Sequence, residues 1–445
     1  MLRLLKYLGL AVLALVVLAG LGVGGFALAT RAPEIAAVEP PAADSFPEDA
    51  VERGAGLAAI GNCIVCHTAE GGEDFAGGRA LPTPFGTIHT TNITPDPETG
   101  IGRWSEEAFV RAMRRGIDRE GRHLYPAFPY DYYTHTTDED LGAIYAFLMT
   151  REPVVAEPEP NALPFPLDQR FLLAGWNMLF LDAGPYTPDP ERDDEWNRGG
   201  YLVEGLAHCG ACHTPRNLLG AAPKEGETAY AGAMVEGWYA PPIDEAAARR
   251  MPWTEFALVN YLIDGWDRNH GIAAGPMRDV ADAFYENPED EAFAVAAYVG
   301  TLMADDRSEA ARETAVEEAR AEAERLRWGA EGAPEVPAEG PLAEGAAIFE
   351  DQCADCHAVA KEPAPLALSP TVHVPTPANL IRVTLDGIKP APLGVLDRTM
   401  PARHLQIDDA EMAVLAAFVR DRFSDAPAWE GVEELSAAIR AEVTE

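Results

Sequence analysis

Cys63-Ile-Val-Cys66-His67, Cys209-Gly-Ala-Cys212-His213 and Cys353-Ala-Asp-Cys356-His357 account for all six cysteines of the 445-residue chain. Two thiols at i and i+3 lie on one face of a helical turn, where they can form thioethers with the two vinyl groups of a haem. The adjoining His is then carried under the ring to bind iron. The pattern reads as covalent attachment of three haems c, with the six cysteines holding the porphyrins and His67, His213 and His357 as axial ligands. Disulfides in an exported protein, a thioredoxin-like redox pair and structural zinc are the bland alternatives. They leave unexplained why three copies use every cysteine and each end in His.

The first cysteines of the motifs lie 146 and 144 residues apart, so the chain is a triplicated module. Each copy has a helix-like segment before the motif and a second one ending in Gly after it: Trp104 to Gly116, Pro252 to Gly265 and Asn379 to Gly387. An amphipathic helix closes each copy, starting at N-caps Thr137 or Asp138, Asn287 and Asp408, with Phe147, Tyr298 and Phe418 at matching positions. The expected fold is all-α: three tandem cytochrome c domains behind an N-terminal transmembrane helix. The expected boundaries are an anchor over 1–30, a first domain over 46–150, a Pro-rich connector over 151–195, a second domain over 196–305, a helical acidic linker over 306–340 and a third domain over 341–425. Residues 304–329 pair opposite charges at i,i+4 and read as an exposed helix, which leaves the third module the most loosely tethered. The connector carries Pro153, Pro158, Pro160, Pro164 and Pro166 and then an apolar run from Phe171 to Phe180, and reads as an ordered contact surface.

Hydrophobic residues make up 47% and charged ones 24%, which suits folded cores. With 72 acidic against 34 basic residues the formal charge is -38, which repels a nucleic-acid backbone and an anionic lipid surface. Nucleic acid is not an expected partner. From Tyr7 to Thr30 the chain carries no charge, a run long enough for a bilayer, and Arg3 and Lys6 put its start in the cytoplasm. The run exceeds the usual core of a signal peptide and reads as an uncleaved anchor in the inner membrane with the haem modules in the periplasm. Ala27-Leu-Ala29 has the form of a cleavage site and supports the alternative of a cleaved leader.

A haem that carries electrons has its second axial position filled, and a Met thioether there favours Fe(II). Met277 lies 12 residues after Gly265 and Met400 lies 13 after Gly387, both read as loop residues before a closing helix, and these two are the expected sixth ligands. Met149, Met303 and Met412 fall on closing helices and read as core. The same count from Gly116 lands on Phe128, which cannot bind iron. That haem either lacks a protein sixth ligand or takes His123, His135 or Met113. His89, His208, His270, His373 and His404 have no matching repeat position and read as structural or surface residues.

From about Phe46 to Arg420 the sequence resembles the membrane-anchored three-haem cytochrome c subunits of bacterial periplasmic dehydrogenases. The resemblance rests on Pro84-Phe-Gly-Thr-Ile, Thr91-Asn-Ile-Thr-Pro-Asp96, Leu124-Tyr-Pro-Ala-Phe-Pro-Tyr130, the run from Trp196 through Cys209 to Asn217, and Gly237-Trp-Tyr-Ala-Pro241. It implies an electron-transfer subunit with no substrate chemistry of its own. Electrons would come from a dehydrogenase catalytic subunit and pass to ubiquinone or a terminal oxidase. Relatives serve flavin-linked gluconate and sorbitol dehydrogenases, quinone-linked alcohol dehydrogenases, and molybdenum hydroxylases acting on aldehydes, nicotinate or isoquinoline. Alcohol and gluconate types tend to carry Met where this chain has Phe128. That form, together with Arg31 to Pro40 and Thr150-Arg-Glu-Pro-Val154, is more similar to the molybdenum-hydroxylase type. A different class of function, a haem enzyme using an open site at the Phe128 haem, stays open.

Overall fold

Glycine decides how the helices meet. A Cβ placed on Gly54 would fall 2.0 Å from the Ala143 carbonyl oxygen, on Gly199 1.9 Å from that of Ala294, and on Gly345 2.1 Å from that of Val414. The same three positions face the Cβ atoms of Phe147, Tyr298 and Phe418 at 2.9, 2.8 and 2.8 Å. In each repeat the helix before the haem motif therefore crosses the closing helix backbone to backbone, at a glycine and one turn from an aromatic. The crossing pairs are Glu48–Ile60 with Asp138–Met149, Asp194–Tyr201 with Glu289–Leu302, and Pro341–Gln352 with Asp409–Phe423.

This computed structural model describes residues 2–224, 226–245, 247, 251–303, 308–358, 364–388 and 400–444. The chain divides into two compact units, residues 1–58 with 63–186 and residues 59–62 with 187–445. It is mostly helical, as expected. Among the described residues three small antiparallel hairpins, which the sequence does not predict, are added: Ala80–Thr83 with Gly86–His89, Ala233–Val235 with Trp238–Ala240, and Trp266–Asp267 with Gly271–Ile272.

In the first unit the Leu2–Ala29 helix is the one stretch among the described residues long and apolar enough to cross a membrane. Beyond it residues 30–38 run along the unit, with Ile35 N donating to Arg119 O at 2.9 Å and Val38 N to Arg103 O at 3.0 Å. The closing helix takes Thr137 as N-cap and buries Leu141, Ile144, Leu148 and Met149. The Pro-rich connector folds back on the same unit: Thr87 and Ala162 pair as strands do, and Asn92 Nδ2 donates to Val154 O at 2.7 Å.

The second unit holds both the second and third motifs. Its middle and closing helices bury Val259, Val295, Ile381, Leu415 and Phe418, with Met303 and Met412 in the core. The Glu309–Leu326 helix departs from the reading of an exposed, slack tether. Val316 and Ala323 lie seven residues apart on one stripe and are buried. Ala323 packs with Met251 and Leu368, and Arg320 Nη1 donates to Asn269 Oδ1 at 2.7 Å. Charge pairing along the exposed face had masked that stripe. A further helix, Val432–Thr444, lies past the expected end of the third domain and is fastened by Ser436 and Arg440 to Asp409.

Candidate haem-attachment sites

The motifs sit on single helical turns, Cys63–His67, Cys209–His213 and Ala354–His357, with Cys353 at the N-cap of the last. Each turn carries two cysteines three residues apart and the histidine that follows the second. None of the six cysteines is paired in a disulfide. Burial pushes the Cys63 and Cys209 thiols up to about 12 and Cys353 up to about 11. Thiols this weakly acidic are poor candidates for thiolate redox exchange, which works against the thioredoxin-like alternative.

Two of the three histidines are held in the tautomer a metal needs. His67 Nδ1 donates to Thr91 O at 2.6 Å and His213 Nδ1 to Pro241 O at 2.6 Å. A carbonyl only accepts, so the proton sits on Nδ1 and Nε2 keeps its lone pair. Burial lowers the pKa of both rings and takes His357 down to about 4, so the neutral form prevails at physiological pH. His357 Nδ1 is buried with no partner among the described residues.

A loop repeated in the first two sites builds this arrangement. The carbonyls of His67 and His213 accept from the amides of Gly77 and Gly232, each at 2.7 Å. Thr68 Oγ1 accepts from Phe75 N at 3.1 Å, and Thr214 Oγ1 from Tyr230 N at 3.0 Å. Phe75 and Tyr230 take left-handed φ values of 61° and 58°, and their carbonyls accept from Ile93 and Ile243. Those two amides lie two residues after the carbonyls that hold the histidines. The shared His-Thr pair, followed by an aromatic two residues before Gly, was the available sequence signal.

The predicted Gly-terminated segments end as expected, with Gly116, Gly265 and Gly387 at φ 59°, 64° and 76°. Leu124 N then donates to Gly116 O at 2.7 Å and Ala273 N to Gly265 O at 2.8 Å. Four residues on from these anchors stand Phe128 and Met277, which therefore share one register. Met277 lies in the first turn of a helix, Pro276–Tyr285, where a loop was expected. Trp238 packs on Gly275, with its ring 2.5 Å from where a Cβ would stand. Because Pro241 follows Trp238 by three residues, one hairpin strand reaches both the His213 and the Met277 segments. Met400 is placed differently: it bridges Ile388, as His123 bridges Ile117, so a count from Gly that differs by only one residue does not give an equal register. Residues 389–399 lie outside the described residues.

Among the other candidates in the first module, Met113 is buried on the Glu106–Arg115 helix. His123 Nε2 donates to Thr30 O at 3.2 Å, while its Nδ1 is buried without a partner among the described residues. His135 Nδ1 bonds Gly184 O at 3.0 Å. Phe128 packs on Tyr133 and Tyr130 with ring centroids 5.4 and 6.2 Å away. The five histidines read as structural all meet backbone carbonyls: His89 with Pro160, His208 with Leu206, His270 with Pro252, His373 with Ala367 and His404 with Leu385.

One further residue beside the second motif carries no sequence signal. Glu204 lies in a π-helical segment, Leu202–Leu206, just before the second motif. Its carboxylate accepts from Tyr230 Oη at 2.6 Å and Tyr298 Oη at 3.0 Å, and burial raises its pKa against the lowering effect of those hydroxyls.

These residues fit haem c: cysteine pairs spaced for the vinyl groups, and, in the first two sites, imidazoles held through Nδ1 with Nε2 left to bind iron. Comparisons with known proteins agree. The cytochrome c family matches residues 51–152, and the family described as cytochrome c oxidase, cbb3-type, subunit III matches residues 340–419. The chain is 45% identical to a nicotinate dehydrogenase subunit of Pseudomonas putida over 95% of its own length and 34% of the relative's. It thus spans about a third of that relative. It is 35% identical to the gluconate 2-dehydrogenase cytochrome c subunit of Pantoea cypripedii, over 85% of this chain and 87% of the relative. The cytochrome c subunit of quinone alcohol dehydrogenase from Gluconacetobacter polyoxogenes is 34% identical over 83% and 80%.

Proposed function

We propose that this chain, which belongs to the cytochrome c subunits of dehydrogenases, carries three covalent haems c in three tandem domains over 46–150, 196–305 and 341–425. It would pass electrons from a periplasmic dehydrogenase catalytic subunit to ubiquinone or a terminal oxidase. Haem iron supplies one-electron chemistry between Fe(III) and Fe(II). Cys63 and Cys66, Cys209 and Cys212, and Cys353 and Cys356 would hold the porphyrins, and His67, His213 and His357 would bind the irons. Met277 and Met400 are the proposed second protein ligands. The Leu2–Ala29 helix anchors the protein in the inner membrane.

The observation that carries this reading is the threefold glycine crossing, which sets the same helix pair behind each Cys-x-x-Cys-His turn. Greater identity to a nicotinate dehydrogenase subunit than to gluconate and alcohol dehydrogenase cytochromes supports a molybdenum hydroxylase as partner, in line with the Phe128 form of the first module. Intact mass of the acid-denatured protein tests the cofactor count: an increment of three haems is expected, and two or none refutes it. Copurification with a catalytic subunit tests the partner.

Phe128 in the register of Met277 favours a second reading, a haem enzyme with an open site in the first module. Fast, near-stoichiometric carbon monoxide binding to one haem of the reduced protein would select it.

A further inference from the structure

We infer that residues 165–180 lie in the headgroup and upper acyl region of a bilayer, so that the first unit is seated on the membrane as well as tethered to it. The inference rests on the reading of Leu2–Ala29 as a membrane-spanning helix.

The Leu172–Phe180 helix, Leu-Leu-Ala-Gly-Trp-Asn-Met-Leu-Phe, has no charged residue in a chain of net charge -38. Its two faces differ sharply. Ala174 and Trp176 are buried, and Trp176 meets Tyr130 edge to face at 5.9 Å. The only polar side chain of the helix also points inward: Asn177 Oδ1 accepts from Tyr130 Oη at 2.7 Å and its Nδ2 donates to Arg115 O at 3.1 Å. Outward stand Met178 at 77% exposure and Leu179 at 70%, with Phe165 at 82% just upstream. A helix turn that satisfies its one amide inside and leaves only hydrocarbon outside suits contact with acyl chains, at a depth of about 5–10 Å.

Position selects lipid over a protein partner. Leu172, Gly175 and Leu179 fall at i, i+3 and i+7 on one stripe. The nearest atom beyond Gly175 is Phe26 Cζ, 3.8 Å from where a Cβ would stand, in the last turn of the Leu2–Ala29 helix. The exposed stripe is therefore continuous with the point where that helix leaves the bilayer. The exit is fixed to the unit as well: Arg111 Nη1 donates to Pro33 O at 2.6 Å, and His123 binds Thr30 O. Gly121 admits the Ala32 carbonyl oxygen, which a Cβ there would approach to 2.2 Å. A zwitterionic surface is the fitting one, since the chain's charge repels anionic lipid.

Photolabelling tests this on the full-length protein in phosphatidylcholine nanodiscs containing a phosphatidylcholine with a diazirine on its acyl chain. Adducts are expected on peptides covering 1–29 and 165–180, above the labelling of the exposed apolar residues Val155 and Leu218. The double substitution Met178→Glu with Leu179→Glu should lower adduct yield on 165–180 by about five-fold, leaving 1–29 unchanged. Adducts on 1–29 alone would overturn the seating while keeping the anchor. No adducts on either would overturn both. Labelling of 165–180 that vanishes when the copurified dehydrogenase complex is used would assign this face to a protein partner and overturn the inference.

Discussion

At the scale of single residues, the covalent chemistry was legible and its supports were not. Cys-x-x-Cys-His declares itself because thioether formation and iron ligation demand those side chains at that spacing. The groups that orient His67 and His213 are backbone carbonyls of Thr91 and Pro241, which leave no mark on residue type. Phe128 is the residue where reading and register agree, and it makes a direct test. Phe128→Met should raise the potential of one haem and, if that site is open, convert a high-spin signal to low-spin; a redox titration with unchanged midpoints would show that Phe128 does not face the iron. Glu204 gives a pH test. Burial raises its pKa above the ordinary 4.5, so in the window above that value the native state holds a proton the unfolded chain has lost, and stability falls as pH rises. Glu204→Gln keeps an acceptor for Tyr230 and Tyr298 and removes the titration. Denaturant midpoints measured across that window should lose their downward slope in the variant.

At the scale of elements, periodicity located the closing helices and their caps where one helix starts from open chain. Thr137 and Asp408 cap as expected, and Asp408 forms a capping box with Glu411. Asn287 does not: its side chain donates back to Ala283 O at 2.8 Å and ends the preceding helix, so Pro288 becomes the N-cap. That preceding helix, the one bearing Met277, was hidden by the Gly275-Pro276 pair, which reads as loop but here supplies a helix start with Pro at its first position. The small hairpins were hidden because strands of two to four residues are too short for a period to show. The crossing glycines carry a sharp prediction. Alanine at Gly54, Gly199 or Gly345 would force a Cβ against a carbonyl oxygen and push two packed helices apart, costing about 1–3 kcal/mol or more as overpacking does. Alanine at Gly184, which has nothing within 4 Å, should leave stability nearly unchanged. Denaturant unfolding of the variants distinguishes the sites, and equal effects at Gly54 and Gly184 would contradict the crossing.

At the scale of the molecule, charge and composition narrow the classes of partner to expect but do not show how the repeats are joined, because a seam is made by side chains far apart in sequence. Within the second unit, Asn379 treats the backbone of Tyr239 as a strand neighbour would, with its Oδ1 accepting from Tyr239 N and its Nδ2 donating to Tyr239 O, both at 2.8 Å. Arg382, one turn on, donates to Gly237 O at 2.8 Å and pairs with Glu442 at 2.6 Å. The same hairpin leads to Pro241, whose carbonyl holds His213, so the third repeat is fastened to the second beside that histidine. The contributions should rank by exposure. Glu442 is 60% exposed at its side chain, and an ion pair of that kind is worth at most about 1 kcal/mol. Asn379 makes two partly buried hydrogen bonds worth about 1 kcal/mol each, and its loss leaves a backbone donor and acceptor without partners. Asn379→Ala should therefore destabilise more than Glu442→Ala. It should also increase tryptic cleavage at Arg325 and Arg327, between the repeats, while the optical spectrum of the attached haems is retained. If Glu442→Ala proved the more damaging, salt-sensitive charge pairing and not the Asn379 amide would be what joins the two repeats.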